Sequence, residues 1–206
     1  ELKQQTSVFL YTIHTETTSI AWAYGLKNLI IPGQFCGFAG MPFDHARNAA
    51  CEHALKEGYQ YVFHLDSDVV PPPDTILRLL AHNLDIVSGV YCRRSPPHGV
   101  PVAIKNNSWL TNLPDLRYQS PLVEVDLVGA GCLLLSRRFL EDMPPSRPGK
   151  RWFDWRVDMA GHLPEGTPCL SEDFTLCANA RARGYKVILD TSIMCKHVGF
   201  SEAGFG

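Results

Sequence analysis

The residues of this chain best suited to chemistry are acids in two tight groups. Asp66 and Asp68 flank Ser67 directly after a short apolar run, residues 61–65 (YVFHL). Two carboxylates so close together at the end of a strand can hold a hard cation and, through it, a diphosphate. The same triplet can also be a solvated turn closed by an Asx-type hydrogen bond. Glu172 and Asp173 follow Ser171, a good helix N-cap, which places both acids in the first turn of a helix. Acids there favour the helix dipole by about 0.3 to 1 kcal/mol, and an ionised carboxylate in that position can accept a proton. His197 stands near the end of the chain, and a lone histidine is more often a satisfied core or surface residue than a ligand.

The elements that must position these groups follow from periodicity. Residues 61–65 are nearly all apolar and rich in aromatic and β-branched types, as in a strand buried on both faces of a parallel sheet. Pro71, Pro72 and Pro73 forbid its continuation. Upstream, residues 8–13 (VFLYTI) read as a first strand, followed by cap candidates and an apolar helical stripe through Ile20, Ala23, Tyr24 and Leu26. A second, short strand is expected within residues 34–39. Asp44 then reads as the N-cap of a helix carrying Ala46, Ala50 and Ala54 and stopped by Gly58. A helix capped by Asp74 and a strand at residues 85–90 complete four βα-like alternations, which argues for a doubly wound sheet. Arg93 and Arg94 come just after that strand and could face a phosphate, although an exposed bend is the preferred reading.

Farther along, a strand is expected at residues 100–104, with strand character again at 122–127 and 131–135 around Gly129 and Gly131, and a short helix at 137–142. A glycine pair in a strand admits the close approach of a ligand or makes a bulge. Residues 150–155 (KRWFDW) form an aromatic segment between Pro- and Gly-containing stretches and read as a loop. The helix opened by Ser171 should end at Gly184, with a last strand at 185–189 and a tail at 200–206 that is either a lid or a frayed end.

Composition narrows the function classes. At 206 residues, 45% hydrophobic and 19% charged, the chain can bury a substantial core as one domain. A net charge of −2 offers no field for nucleic acid, and no apolar run is long enough to form a transmembrane segment. Seven cysteines without a CxxC pair, several in apolar segments, point to a reducing, cytoplasmic setting, with a peripheral membrane contact left open.

Five pieces in this order resemble the GT-A glycosyltransferases of family 2. They are Ala46-Arg47-Asn48, the DxD triplet Asp66-Ser67-Asp68, the Gly129-to-Gly131 segment, the Glu172-Asp173 pair and His197. The resemblance covers nearly the whole chain. It implies an α/β GT-A fold, Rossmann-like and doubly wound, with a mixed, mainly parallel sheet. The single domain of residues 1–206 would comprise a nucleotide-sugar half to about residue 104 and an acceptor half from about 105. It implies a metal-dependent glycosyltransferase of hexosyltransferase type that moves a sugar from a nucleoside-diphosphate sugar, UDP ahead of GDP, to a hydroxyl on a glycan, lipid-linked or protein acceptor.

By the same resemblance, Asp66, Asp68 and His197 would hold Mn²⁺ or Mg²⁺, a role for which neutral imidazole beside carboxylate is suited. Thr12, His14, Thr15, Arg47 and Ser67 would join Asp66 and Asp68 around the nucleotide. Asp173 would be the catalytic base of an inverting transfer, with Glu172 beside it, and Gly129 and Gly131 would lie on the acceptor side. Trp152 and Trp155 join that side because carbohydrate sites favour flat aromatic faces, while packing beneath the loop is their other reading. Two rival functions remain open. LDSDVV also fits the motif of a HAD-type Mg²⁺-dependent phosphotransferase, and a GT-A-shaped domain can bind sugar nucleotide or glycan without turnover.

Overall fold

The computed structural model describes residues 7–14, 17–94, 99–111, 120–143, 151–157 and 169–198. Thr15, the breaks at Pro148-Gly149 and Gly161 to Pro164, and the 200–206 tail lie outside the described residues, as does the side chain of His14.

A seven-stranded sheet forms the centre. Its strands are β1 (Val8–His14), β2 (Gly33–Ala39), β3 (Tyr61–Asp66), β5 (Ile86–Val90), β8 (Leu122–Val125), β10 (Cys132–Ser136) and β13 (Val187–Met194), in the order β2-β1-β3-β10-β5-β13-β8. Strands β2, β1, β3, β5 and β13 share one direction, while β10 and β8 run against their neighbours. The mixed, mainly parallel α/β sheet is therefore as expected, with β10 inserted between β3 and β5.

Alternation along β1 shows how the sheet is covered on both faces. Phe9, Tyr11 and Ile13 pack toward α2 (Phe43–Glu57), α4 (Arg137–Asp142) and α5 (Glu172–Ala182), whereas Val8 and Leu10 pack toward α1 (Ile20–Asn28) and α3 (Thr75–Ala81). Helix α2 fits closely because its sheet-facing residues are small: Ala46, Ala50, Cys51 and Ala54 are all buried. Its C-terminus is turned by Gly58 at φ 83°, a conformation glycine adopts without cost.

Several boundaries differ from expectation. Pro42, not Asp44, occupies the N-cap of α2; Asp44 sits inside the first turn, where its Oδ1 accepts from the His45 N–H. Proline suits a helix start because it has no N–H to leave unpaired. The strand expected at 100–104 is β6 (Ala103–Lys105), with Pro101 bridged to Cys92. The run at 122–127 breaks at Asp126, so that β8 stays in the main sheet while β9 (Leu127–Val128) joins β6 and β7 (Ser108–Trp109) in a small sheet. The last long strand starts later and extends farther than expected, to Met194. Two further pairs complete the fold: β4 (Val69–Val70) with β14 (Lys196–His197), and β11 (Arg156–Val157) with β12 (Cys169–Leu170).

Candidate functional site

At the carboxyl ends of β3 and β5 the chain opens a cleft of about 910 Å³. Asp66, Ser67 and Asp68 form its floor, with Arg93, Arg94, Trp109, Phe43 and His197 around it. The N-terminus of α1 fixes the acidic loop, since Thr18 Oγ1 donates to the Ser67 carbonyl (3.1 Å) and Trp22 Nε1 to the Asp66 carbonyl (3.0 Å). On the other side the β4–β14 pair places His197 opposite Val69, and the Val198 N–H donates to the Asp68 carbonyl at 2.7 Å. Backbone pairing thus brings together residues 128 to 130 positions apart in the chain.

His197 is held at both ring nitrogens. Nδ1 lies 2.7 Å from the Cys92 carbonyl, which can only accept, so this nitrogen carries a proton and donates. Nε2 faces Asp68 Oδ1 at 3.3 Å, while Arg94 Nη1 meets the other Asp68 oxygen at 3.0 Å. Burial opposes charge on both Asp68 and His197, but their mutual hydrogen bond and attraction outweigh it. The carboxyl is left below its ordinary range and the imidazole above it.

Among the described residues no group of three metal-binding side chains stands ready around one point. The chemistry of the Asp68–His197 pair nevertheless fits a divalent cation. A proton fixed on Nδ1 leaves Nε2 as the ligand nitrogen, and an oxygen lies beside it. A Mg²⁺-type ion takes one or two carboxylates and completes its shell with phosphate oxygens and water. Asp66 also borders the cleft, but its Oδ1 accepts from Arg47 Nη2 at 2.9 Å.

Arg47 connects the two acidic groups from within the protein. The residue is only 2% exposed. Besides Asp66, its guanidinium donates to Glu172 Oε1 (3.1 Å), the Ala130 carbonyl (3.4 Å) and Tyr11 Oη (3.5 Å). Burial alone would lower its pKa, but Asp66, Tyr11 and Glu172 hold it above the ordinary value, so the cation persists in the core. Arg47 is not among the described residues that line the cleft and borders it only through Asp66. Glu172 is buried, and burial followed by the charge of Asp173 pushes its carboxyl up to about 7 against the pull of Arg47.

Asp173 has different surroundings. Its Oδ2 accepts from the Ala130 N–H at 3.1 Å, and its Oδ1 from the Phe174 N–H at 2.8 Å and from the Ser171 hydroxyl. Ser171 occupies the N-cap position of α5, but its hydroxyl serves Asp173 instead of capping the backbone. Neither Glu172 nor Asp173 is among the described residues that line the cleft; they stand behind Asp66, across Arg47.

Three assignments change with these positions. Thr12 is buried in β1, its hydroxyl without a hydrogen-bond partner among the described residues, and so it is not on the cleft surface. Trp152 is 1% exposed and spends its indole N–H on the Leu140 carbonyl, so it packs beneath the loop, whereas Trp155 is 52% exposed and remains available to a sugar. Gly129 and Gly131 are buried against Tyr91. A Cβ on Gly129 would stand 2.0 Å from Tyr91 Oη and one on Gly131 2.8 Å from its ring, while the Gly131 N–H donates to Tyr91 Oη at 3.0 Å. Tyr91 in turn packs edge-on to His197.

Sequence reasoning missed three contributors. Arg94, on an exposed bend as expected, reaches Asp68, and Arg93 lies over the Trp109 ring at 4.3 Å, so the bend also forms part of the cleft wall. Asn48 is buried and binds the Phe153 carbonyl and the Trp152 N–H, fixing the aromatic loop on α2. The arginine pair was visible as a phosphate candidate; the partners of Asn48, 104 and 105 positions away, were not.

No family model matches the chain, and no curated protein matches it by sequence. Among solved structures it is similar to A197 from STIV, with a TM-score of 0.66 at 16% identity over 98% of this chain and 95% of that one. It overlaps more loosely with apo UDP-glucose pyrophosphorylase (TM-score 0.45, 10% identity, 95% of this chain and 77% of that one). A glycosyltransferase involved in glycosylation of the major capsid of PBCV-1 gives 0.35 at 13% identity, over 66% of this chain and 62% of that one. The likeness to A197 is one of fold.

Proposed function

We propose that the protein is a metal-dependent glycosyltransferase that moves a sugar from a nucleoside-diphosphate sugar, UDP ahead of GDP, to a hydroxyl acceptor with inversion. The observation that carries this reading is the convergence of Asp68 and His197 on a strand-end cleft that Arg47, through Asp66, ties to Glu172, the chain neighbour of Asp173. Asp66, Asp68 and His197 would hold Mn²⁺ or Mg²⁺, which when bound neutralises charge developing on the departing diphosphate.

The protein's own groups do the rest. Arg93 and Arg94 bring positive charge to the cleft wall where the diphosphate would lie. Phe43, Ile13 and Trp109 supply apolar surface for base and sugar. Arg47 acts as a positioning residue: by holding Asp66 and Glu172 on one guanidinium it sets α5 relative to the acidic loop. Asp173 takes the proton of the attacking hydroxyl, its carboxylate oriented by the Ala130 and Phe174 N–H groups. Trp155 offers an exposed aromatic face to the acceptor.

The test is incubation with a panel of sugar nucleotides with Mn²⁺ or Mg²⁺. Sugar transfer, or slow release of nucleoside diphosphate to water, supports this reading. Phosphate release from phosphomonoesters instead, or binding without turnover, would replace it with a phosphotransferase or a binding domain.

A further inference from the structure

Asp68 already has a cation beside it. Arg94 Nη1 lies 3.0 Å from Asp68 Oδ2, while His197 holds the other oxygen. The arginine side chain is 55% exposed and the carboxylate 28%, so this pair is solvent-screened and exchangeable, unlike the pair of Asp66 with Arg47, whose guanidinium is buried. Its neighbour is anchored differently. The Arg93 N–H donates to the Val100 carbonyl, and its guanidinium lies on Trp109, so consecutive residues after β5 diverge, one onto an aromatic ring and one onto the acidic loop. The backbone beneath Arg94 is fixed too, because Cys92 bridges Pro101 and its carbonyl accepts from His197. Arg94 thus follows an anchored segment and carries its guanidinium on a long stem to the edge of the cleft.

From this placement we infer that Arg94 is a cation latch: in the empty site it neutralises Asp68, and when a divalent ion and a nucleoside diphosphate enter it leaves Asp68 and takes the diphosphate. The inference rests on the sugar-nucleotide reading of the same cleft. Two physical requirements favour an exchange. A guanidinium against Asp68 competes with a metal for that carboxylate, and a planar fork released beside a diphosphate can bind two of its oxygens at once, which an ammonium cannot. The latch limits metal binding when no diphosphate is present and strengthens diphosphate binding when metal is.

Removing the arginine should therefore move two affinities in opposite directions. Arg94→Ala should bind Mn²⁺ alone about two- to fivefold more tightly, as fits the loss of one exposed competing ion pair. At saturating Mn²⁺ it should bind UDP or GDP about tenfold or more weakly, as fits the loss of charge-assisted hydrogen bonds. Free Mn²⁺ can be followed by electron paramagnetic resonance and nucleotide by titration calorimetry, with unfolding curves confirming that the exposed substitution leaves the fold intact. Arg94→Lys should keep the Mn²⁺ affinity near that of the wild type yet recover only part of the nucleotide affinity.

Opposite shifts support the latch. Unchanged or weakened Mn²⁺ binding in Arg94→Ala overturns the competition at Asp68, and unchanged nucleotide affinity overturns the transfer. If the wild type binds neither UDP nor GDP while Arg94→Ala still gains Mn²⁺, the sugar-nucleotide reading falls and takes the diphosphate step with it. That result differs from a failed latch because the metal arm still responds.

Discussion

The two acidic pairs are built on the same plan and differ in what holds their outer members. Asp66 and Glu172 both turn inward onto Arg47, one buried guanidinium serving a buried carboxylate and one at the cleft edge. Asp68 and Asp173 turn away from it. Asp68 is held by side chains, His197 and Arg94, that a ligand can rearrange. Asp173 is held by the N–H groups of Ala130 and Phe174, which it cannot exchange without moving backbone. A carboxylate meant to receive a cation benefits from replaceable partners, whereas one meant to meet a hydroxyl in a set direction benefits from fixed ones. The inner pair supplies the common frame.

The largest effect should come from the fixed side. Asp173→Asn should lose sugar transfer by about 10² to 10⁴-fold with donor affinity little changed, because a general base contributes on that scale to the transition state and not to donor binding. Steady-state kinetics measure the split between kcat and donor KM. Product NMR from an α-linked donor adds a second check: a β-linkage fits direct displacement with Asp173 as base, and an α-linkage, or near-normal transfer by Asp173→Asn, would remove Asp173 from that role.

Next comes the frame itself. Arg47→Ala strands Asp66 and Glu172 without their buried counter-charge, and breaking a buried ion pair by removing one partner costs about 3 to 5 kcal/mol. Urea unfolding should show that loss, and Arg47→Lys should recover only part of it, since an ammonium cannot span both acids and the Ala130 carbonyl. A cost below about 1 kcal/mol would mean that the two pairs are not joined through Arg47. On the exchangeable side the effect is smaller and purely functional. His197→Ala should weaken Mn²⁺-dependent nucleotide binding by about 10- to 100-fold while unfolding curves change little, and undiminished activity in EDTA would exclude the metal role.

Legibility in the sequence followed the range of the interactions. Strands β1, β3 and β5 and helix α4 were readable because local apolar runs and caps specify them, and Asp66-Ser67-Asp68 could be placed at a strand end for the same reason. The insertion of β10 between β3 and β5 leaves no local trace, and neither does the splitting of residues 122–128 between two sheets. In the site, residue types were visible but burial was not. Trp152 and Trp155 are chemically alike in the sequence, yet one lies under the loop and the other on its surface, because Asn48 draws the backbone at Trp152 and Phe153 inward. Gly129 and Gly131 signalled close approach correctly, but the approaching group, Tyr91, lies 38 to 40 positions away in the chain.

The last prediction tests whether Glu172 belongs to the dry inner pair. Burial first, and then Asp173, push its carboxyl from an ordinary 4.5 up to about 7, with Arg47 pulling the other way. Between those two values the folded protein holds a proton on Glu172 that the unfolded chain has released, so this residue's contribution to stability is complete below about pH 4.5 and declines as pH rises toward 7. The slope from one such group is at most about 1.4 kcal/mol per pH unit. Glu172→Gln cannot take part in this titration. It also changes the group that accepts from Arg47, which offsets the whole stability curve, so the informative quantity is how the difference between wild type and variant changes with pH. Urea titrations of both proteins in EDTA from pH 4.5 to 8 should show the wild type losing stability relative to Glu172→Gln across that window and running parallel to it above. A difference that stays constant from pH 4.5 to 7 would mean that Glu172 ionises in the fold as readily as in water, and the contrast between a dry inner pair and an exchangeable outer carboxylate would fail at that residue.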